Sequence, residues 1–462
     1  MINSNFYIIS LLLCLVFKSD SSPNVTPSKI NYNTIIKFNV TENRKKDTGK
    51  TIELSYIRYK STNPNPGSPI IYLAGGPSSS GINTIRGSQI AKTLLSVADV
   101  IAFDQRGTGS SSLINYSRGW SYPLDEATNL KTLKQMAKAC GKKASAFWRA
   151  KGIDLSAYNT EESADDIEAL RKEIGANKIT LWGNSYGTHL ALAYVKKHEK
   201  SLGRVLLTGV EGPNHTVKSP KNTQILLERI DSILKQDGRY KNQYPDFLGD
   251  IKTVLERLDH NPVNIKVSGK NLVIGKFDIQ QATTDLLAAP FLFDVLPKYY
   301  RQMVQGNYSG LAPRLLRNRR TGNFNAMWAA MDAASGISKE RKKRIEIESK
   351  NTLMQGAINL PWTSFFEGIE VPDLGDDFRE NPKSNIPLLC VSGFLDGRTP
   401  PSNAVEILKG FPKGNHIVIK NKGHGGEEML TSSNKVKSLV IDFLNGTAIG
   451  NHTVKSTRIK FN

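Results

Sequence analysis

The chain has 462 residues and a formal net charge of +20 at pH 7, a length that suits one large domain with an insertion or two domains. Hydrophobic residues make up 39% of it, as in ordinary globular proteins, and no apolar run is long enough for a membrane-spanning helix in the mature chain. The basic clusters at 314–320 and 339–344 carry no nucleic-acid motif and no interleaved aromatic residues. We therefore predict solvated helix faces and no nucleic-acid partner, and leave open a peripheral association with an anionic envelope.

The N-terminus has the pattern of a signal peptide. Residues 6–17 form a compact apolar run, and Lys18 and a stretch of small residues follow at once. Such a run is too short to span a bilayer but suits the core of a secretion signal. We predict a signal peptide over residues 1–22 and an exported chain, periplasmic or secreted. A lipid anchor through Cys14 and a buried N-terminal strand are the alternatives.

Apolar runs separated by turn residues predict a series of strands and helices beyond the N-terminus. The predicted strands, in chain order, are 36–40, 51–59, 69–73, 99–103, 178–182, 204–208, 386–392 and 416–420. The first two suit a hairpin. A helix is predicted over 160–174, with Thr160 as its N-cap and Gly175 at its end, and another over 434–443.

Between residues 213 and 385 the strand signals thin out and helical patterns dominate, as at 223–234, 251–258 and 280–287. Strands alternating with helices on either side of this block predict an α/β fold with a mostly parallel, doubly wound sheet. We predict that 23–212 and 386–462 form the two parts of the core, and that 213–385 is a helical cap inserted between them.

The segment Gly183-Asn184-Ser185-Tyr186-Gly187 lies between a predicted strand and a predicted helix. This is the context of a nucleophile elbow, in which a tight turn exposes a serine in a strained backbone conformation. The glycines let strand and helix pass closely, and the helix N-terminus favours the anion formed during acyl transfer. We predict Ser185 as a nucleophile.

A serine needs a base, and the base needs a carboxylate that orients it, in the chain order Ser, Asp or Glu, His. Asp396 is the carboxylate in the loop that directly follows strand 386–392, and His424 follows the last predicted strand between glycines. We predict Asp396 and His424 as these partners. For Asp396, an Asx-turn or a helix N-cap ahead of Pro400 is the alternative.

An oxyanion hole needs two backbone N–H donors. We predict the N–H of Tyr186, just after the nucleophile, and that of Gly76, because the next residue, Pro77, has none. Asp104 and Arg106 are interpreted as a local ion pair that holds their turn.

Other chemistry has little support in the sequence. Because there is no CxxC and no HExxH pattern, we predict no metal site and no cofactor. Cys140 and Cys390 are either buried thiols or bridged to each other.

These motifs together resemble the α/β-hydrolase group that holds prolyl aminopeptidases and tripeptidyl aminopeptidases. The resemblance covers about 50–215 and 380–445 and rests on Gly75-Gly76-Pro77, Asp104-Gln105-Arg106-Gly107, Gly183-Asn184-Ser185-Tyr186-Gly187-Thr188, Ser392-Gly393-Phe394-Leu395-Asp396 and Gly423-His424. It implies an exported serine exopeptidase that removes residues from peptide N-termini.

Such an enzyme needs a carboxylate for the free amine of its substrate. Glu211, in a loop after strand 204–208, is the candidate, and a backbone-capping carboxylate is the alternative for it. The substrate is then a small peptide. A carboxylesterase or lipase-like hydrolase that uses the same triad on an ester, and a non-catalytic binding protein on a hydrolase fold, remain as alternative functions.

Overall fold

A twisted β-sheet organises the computed structural model, which describes residues 34–46, 48–288, 293–457 and 459–461. The predicted signal peptide and Cys14 lie outside these residues. The strands are β1 (Ile36–Thr41), β2 (Thr51–Tyr59), β3 (Ile70–Leu73), β4 (Val100–Asp104), β5 (Asn115–Tyr116), β6 (Ile179–Asn184), β7 (Leu202–Thr208), β8 (Val263–Val267), β9 (Lys270–Ile274), β10 (Phe324–Asn325), β11 (Leu388–Gly393), β12 (Gly414–Lys420) and β13 (His452–Lys455).

Nine of these strands form the main sheet, in the order β1-β2-β4-β3-β6-β7-β11-β12-β13. The opening hairpin β1–β2 and the β2–β4 pair are antiparallel. All later neighbours are parallel. The mostly parallel, doubly wound sheet predicted from the sequence is confirmed. Eight of its strands match the predicted ones to within a few residues, and the ninth, β13, was not predicted.

Helices cover both faces of the sheet. They are α1 (Gly81–Ile85), α2 (Gln89–Leu94), α3 (Leu130–Ala150), α4 (Thr160–Glu173), α5 (Tyr186–His198), α6 (Pro220–Gln236), α7 (Phe247–His260), α8 (Lys276–Ala288), α9 (Leu296–Val304), α10 (Ala312–Asn318), α11 (Ala326–Ser335), α12 (Lys339–Lys350), α13 (Trp362–Phe366), α14 (Gly375–Arg379), α15 (Pro401–Leu408), α16 (Glu427–Leu430) and α17 (Asn434–Leu444). No helix among the described residues is both long enough and apolar enough to span a bilayer.

Alternate residues of one strand show how the two faces are filled. Ile71 and Leu73 of β3 join an apolar cluster that includes residues of α4 and α5. Ile70 and Tyr72 of the same strand join a second cluster that includes residues of α2 and α17. Because successive side chains of a strand point to opposite faces, β3 is buried on both sides, which explains its uninterrupted apolar sequence.

The described residues of the long connection between β7 and β11 add no strand to the main sheet. It carries helices α6 to α14 and the hairpin β8–β9, and its strand β10 pairs with β5. Residues of α6 to α10 dominate an apolar cluster of their own, which Leu395 and Phe461 join. The helical character of this connection agrees with the sequence pattern. The boundaries of a separate cap at 213 and 385 stay a prediction.

Local predictions were wrong at the start of α4. The N-cap is Asn159, whose side chain accepts a hydrogen bond from the N–H of Glu162 at 3.0 Å. Thr160 is the first helical residue. Both residue types can cap a helix, and only the extended backbone of Asn159 decides between them.

Cys140 and Cys390 are free and buried.

The local ion pair predicted between Asp104 and Arg106 is also wrong. Arg106 is fully buried, and its guanidinium binds Asp166 of α4 at 2.7 Å and the carbonyl oxygens of Glu42 and Ala157. Asp104 instead accepts a hydrogen bond from the N–H of Ser110, in the turn that follows β4, at 2.8 Å. Arg106 therefore ties the end of β4 to α4 and to the opening hairpin.

This buried pair generates a stability prediction. Arg106→Ala leaves the carboxylate of Asp166 partly uncompensated in the core, and we expect the free energy of unfolding to fall by about 3–5 kcal/mol. Lys37→Ala is the control, because its pair with Glu53 is about half exposed and its loss costs less than about 1 kcal/mol. Urea denaturation measures both, and similar small losses for the two variants would contradict the proposed role of Arg106.

Candidate active site

Ser185 lies at a sharp turn between the last residue of β6 and the first residue of α5. Its backbone has φ +53° and ψ −120°, a conformation that is strained for a residue with a side chain. The predicted strained turn is thus present. The N–H of Ser185 donates to the carbonyl of Thr208 at 2.9 Å, and the carbonyl of Ser185 accepts from the hydroxyl of Thr188 at 2.6 Å. These bonds hold the turn from both sides.

Both glycines of the motif are required by close packing. A Cβ added to Gly187 would overlap the carbonyl of Leu73 at the end of β3, and one added to Gly183 would overlap the backbone of Gly187. Real Cβ atoms do not approach other atoms so closely, so the elbow can pack against β3 only with glycine at these positions.

Asp396 and His424 lie side by side on the loops after β11 and β12. The His424 Nδ1 is 3.0 Å from the Asp396 Oδ2. Because an ionised carboxylate can only accept a hydrogen bond, the Nδ1–H of His424 is the donor. Asp396 is 1% exposed. Burial opposes its ionisation, but His424 and hydrogen bonds from Thr399 outweigh burial and keep the pKa of Asp396 below its ordinary value.

Thr399 is a site residue that the sequence analysis missed. Its hydroxyl donates to Asp396 Oδ2 at 2.7 Å and lies 3.0 Å from His424 Nδ1. The N–H groups of Arg398 and Thr399 both donate to Asp396 Oδ1 at 2.7 Å. The Asx-type turn considered for Asp396 is therefore present together with its contact to His424.

The loop of His424 packs against the elbow of Ser185. A Cβ built on Gly209, the residue after the Thr208 that binds the Ser185 N–H, would lie 3.3 Å from His424 Cε1. A Cβ on Gly426 would lie 2.6 Å from the side chain of Asn184. Ser185, Asp396 and His424 thus follow the carboxyl ends of β6, β11 and β12, where parallel α/β sheets place their sites. The direct contact recorded among the three is the one between His424 and Asp396.

A pocket of about 340 Å³ opens beside Ser185. The predicted oxyanion residues Gly76 and Tyr186 both line it. Gly76 has φ +116°, in the region that favours glycine, and Tyr186 begins α5, so its N–H is one of the unsatisfied donors of a helix N-terminus. The N–H of Tyr186 is therefore a donor next to the serine, and the role of the Gly76 N–H stays a prediction.

Glu211 lines the same pocket and is already paired. Its Oε2 lies 2.7 Å from the Lys218 Nζ, and its N–H donates to the hydroxyl of Thr188 at 2.7 Å. Burial opposes ionisation of the carboxyl, but Lys218 outweighs it and lowers the pKa of Glu211. Thr188 therefore connects the Glu211 loop to the carbonyl of Ser185.

Asp332 of α11 is the second carboxylate of the pocket, and the sequence analysis missed it. Burial, with the negative charge of Glu211, raises the pKa of Asp332 to about 7, against the opposing effects of Lys218, Arg398 and the indole of Trp328. One signal could have found it: Asp332 is the only charged residue of the helix Ala326–Ser335, which is otherwise largely apolar.

Aromatic rings also line the pocket. Trp328, Trp362 and Phe366 line it. The rings of Trp328 and Trp362 have centroids 5.2 Å apart, and those of Trp328 and Phe366 are equally close. The pocket thus combines an apolar wall with a charged floor.

Three other histidines, His189, His215 and His416, are buried. His215 lies 3.2 Å from Glu406, and the other two also have structural contacts. His189 of α5 lies 3.1 Å from the carbonyl of Gly212 and 3.1 Å from the hydroxyl of Ser335. His416 lies 2.9 Å from the hydroxyl of Ser392, and burial lowers its pKa to about 4. Neither of them contacts Asp396, whereas His424 does.

Two family models match the chain. The model described as alpha/beta hydrolase fold matches residues 68–265, which include Gly76, Ser185 and Glu211. The model described as TAP-like protein matches residues 367–453, which include Asp396 and His424. The chain has the α/β-hydrolase fold. The resemblance noted in the sequence is confirmed at this level.

Several curated peptidases are similar to parts of the chain. The serine protease Hip1 of Mycobacterium tuberculosis is 27% identical over 222 residues, which are 44% of this chain but only 38% of Hip1. The proline iminopeptidase of Saccharolobus solfataricus is 26% identical over 40% of this chain and 69% of that protein. The tripeptidyl aminopeptidase of Streptomyces lividans is 24% identical over 82% of this chain and 76% of that protein.

Proposed function

We propose that this protein is a serine hydrolase that removes residues from the N-termini of peptides. The observation that carries the proposal is the contact between Asp396 and His424 beside the strained elbow of Ser185. In this assignment Ser185 is the nucleophile, His424 is the general base and then the acid, and Asp396 orients the imidazole. Relatives named as proline iminopeptidase and tripeptidyl aminopeptidase support the choice of peptides.

The proposed chemistry assigns each of these residues a step. His424 takes the proton of Ser185 as the serine oxygen attacks the scissile carbonyl, and the N–H groups of Gly76 and Tyr186 stabilise the oxyanion that forms. His424 then gives the proton to the leaving amine. In the second half of the reaction, water attacks the acyl-enzyme. His424 takes a proton from this water and returns a proton to the Ser185 oxygen as the acyl group leaves.

The charges of the pocket support a free amine as the group that is recognised. Because Lys218 already neutralises Glu211, Asp332 is the carboxyl left to receive an ammonium group. An ammonium beside Asp332 favours the ionised carboxylate, since an opposite charge lowers a raised pKa. Glu211 then contributes through its negative charge while it stays paired with Lys218, rather than as a free carboxylate.

Ester hydrolysis is the second candidate function. The aromatic wall of Trp328, Trp362 and Phe366 suits an apolar acyl group, and the same triad would act on an oxygen ester. Asp332, the pocket carboxyl without an ion pair among the described residues, favours the peptidase, because an apolar ester offers no cation to pair with it.

Export and a loose association with an anionic envelope belong to the proposal as well. They rest on the apolar run and small residues within 1–22 and on the net charge of +20. No described residue bears on the signal peptide.

The first test compares aminoacyl arylamides with short-chain aryl esters, using wild-type protein and Ser185→Ala. We expect the wild type to turn over the arylamides, and kcat/KM to fall at least about 1,000-fold in Ser185→Ala because the nucleophile is gone. Circular dichroism checks that the variant is folded. Rapid turnover of esters with none of arylamides would reject the peptidase assignment, and full activity of Ser185→Ala would reject this serine.

The second test concerns pH and the free amine. The ratio of kcat/KM for a free-amine substrate to that for its N-acylated analogue should rise as pH increases through about 7, because Asp332 ionises there. A pH effect on the catalytic step shared by both substrates cancels in the ratio. Above that range the ratio falls again, as the substrate ammonium itself loses its proton with a pKa of about 8.

Two variants separate the carboxylates. Asp332→Asn should lower the ratio by about 30-fold or more at neutral pH and remove its rising limb. Glu211→Gln should also weaken free-amine substrates far more than N-acylated ones, and it should move the midpoint of the rise to lower pH, because the charge that raises the pKa of Asp332 is lost. An unchanged rising limb in Asp332→Asn would exclude this assignment.

A further inference from the structure

A second cavity adjoins the pocket beside Ser185. It has a volume of about 560 Å³, within the range of small-ligand sites. The two cavities have lining residues in common, namely Thr216, Asp332, Asn359, Thr363 and Phe366. They therefore meet along one boundary, and Asp332 lies on it. We call the second cavity the side groove.

The side groove is mainly apolar inside. Val217, Ala333, Ile345 and Leu360 contribute to its lining, from the middle segment between β7 and β11. The lining also has six charged residues, and two of them, Lys138 and Glu367, are about half exposed and lie 3.5 Å apart. Such a lining favours an apolar group that enters from the pocket and does not carry a charge inward.

We propose that the side groove receives the side chain of the substrate's N-terminal residue and selects long apolar side chains. The inference rests on the proposed function, in which Asp332 binds the terminal ammonium. In an amino acid the amine and the side chain share one carbon, so the Cβ lies only about 2.5 Å from the amine nitrogen. An amine held at the boundary of the two cavities places the first atom of the side chain at the mouth of the groove.

This assignment divides the recognition between the two cavities. The pocket holds the scissile carbonyl at Ser185 and the amine at Asp332, and the groove accounts for the remaining apolar volume of the first residue. In a hydrophobic pocket, two substrates that differ by a methylene group differ in kcat/KM by about 10- to 200-fold. The wild type should therefore prefer leucyl over alanyl substrates by about 10-fold or more in kcat/KM.

Gly356 offers a way to fill the groove without touching the pocket. It lines the groove but not the pocket, and its φ of −88° suits any residue. A Cβ on Gly356 would lie 3.5 Å from Ser349 Oγ and 3.6 Å from Leu360 Cδ1, which is ordinary contact. Both neighbours also line the groove, so a side chain at this position lies against its wall.

The experiment measures kcat/KM for leucyl and alanyl arylamides with wild type, Gly356→Ala, Gly356→Leu and the control Gly238→Leu. A Cβ on Gly238 would have no atom within 4 Å, and the residue is exposed. We expect Gly356→Leu to lower the leucyl value about 10-fold while the alanyl value changes less than about 2-fold. Gly356→Ala should give a smaller fall of the same kind, and Gly238→Leu none.

The outcomes distinguish the two proposals. If wild type turns over both arylamides without preferring leucyl, or if Gly356→Leu lowers both substrates in equal proportion, the subsite is wrong and the aminopeptidase function stands. If wild type turns over neither substrate, the proposed function fails and the subsite fails with it. Gly356→Ala keeps the test decisive should Gly356→Leu fold poorly, because its added Cβ makes only ordinary contacts.

Discussion

The close passage of the elbow over the end of β3 is the constraint on which the rest of the site depends. Gly187 lies against the carbonyl of Leu73 with no room for a Cβ, and this fixes where α5 starts relative to the sheet. Ser185 can then hold its strained backbone because Thr208 and Thr188 bind it on either side. The same Thr188 binds the Glu211 loop, so the position of the serine and that of the pocket floor are set together.

Electrostatics determines what the pocket can receive. An isolated buried carboxylate is unfavourable, and each acidic group near Ser185 is stabilised in a different way. Asp396 has His424 and the donors of its own turn, and Glu211 has Lys218. Asp332 has no ion pair among the described residues, and its pKa near 7 reflects that lack. A cation in the pocket would complete the set, and a peptide's terminal ammonium is a cation of the right kind.

Much of this architecture could be predicted from the sequence because its signals are local. Strand periodicity, the glycine-flanked Ser185 and the loop positions of Asp396 and His424 follow from chain order and from the rule that parallel strands end at one edge of a sheet. Arg106 was misassigned because its partner, Asp166, lies 60 residues away in α4. Asp332 and Lys218 come from the middle segment, whose packing no local pattern encodes. Asn159 and Thr160 are both suitable N-cap residue types, and the choice between them depends on the backbone conformation of Asn159.

The most direct measurement of the central claim, that Ser185 is a nucleophile activated by His424, is active-site labelling of the folded protein. A fluorophosphonate would be allowed to react, and the modified peptide would be identified by mass spectrometry. The account predicts one adduct, on Ser185, that forms far more slowly in folded His424→Ala. An adduct on another serine, or equal labelling of wild type and His424→Ala, would contradict it.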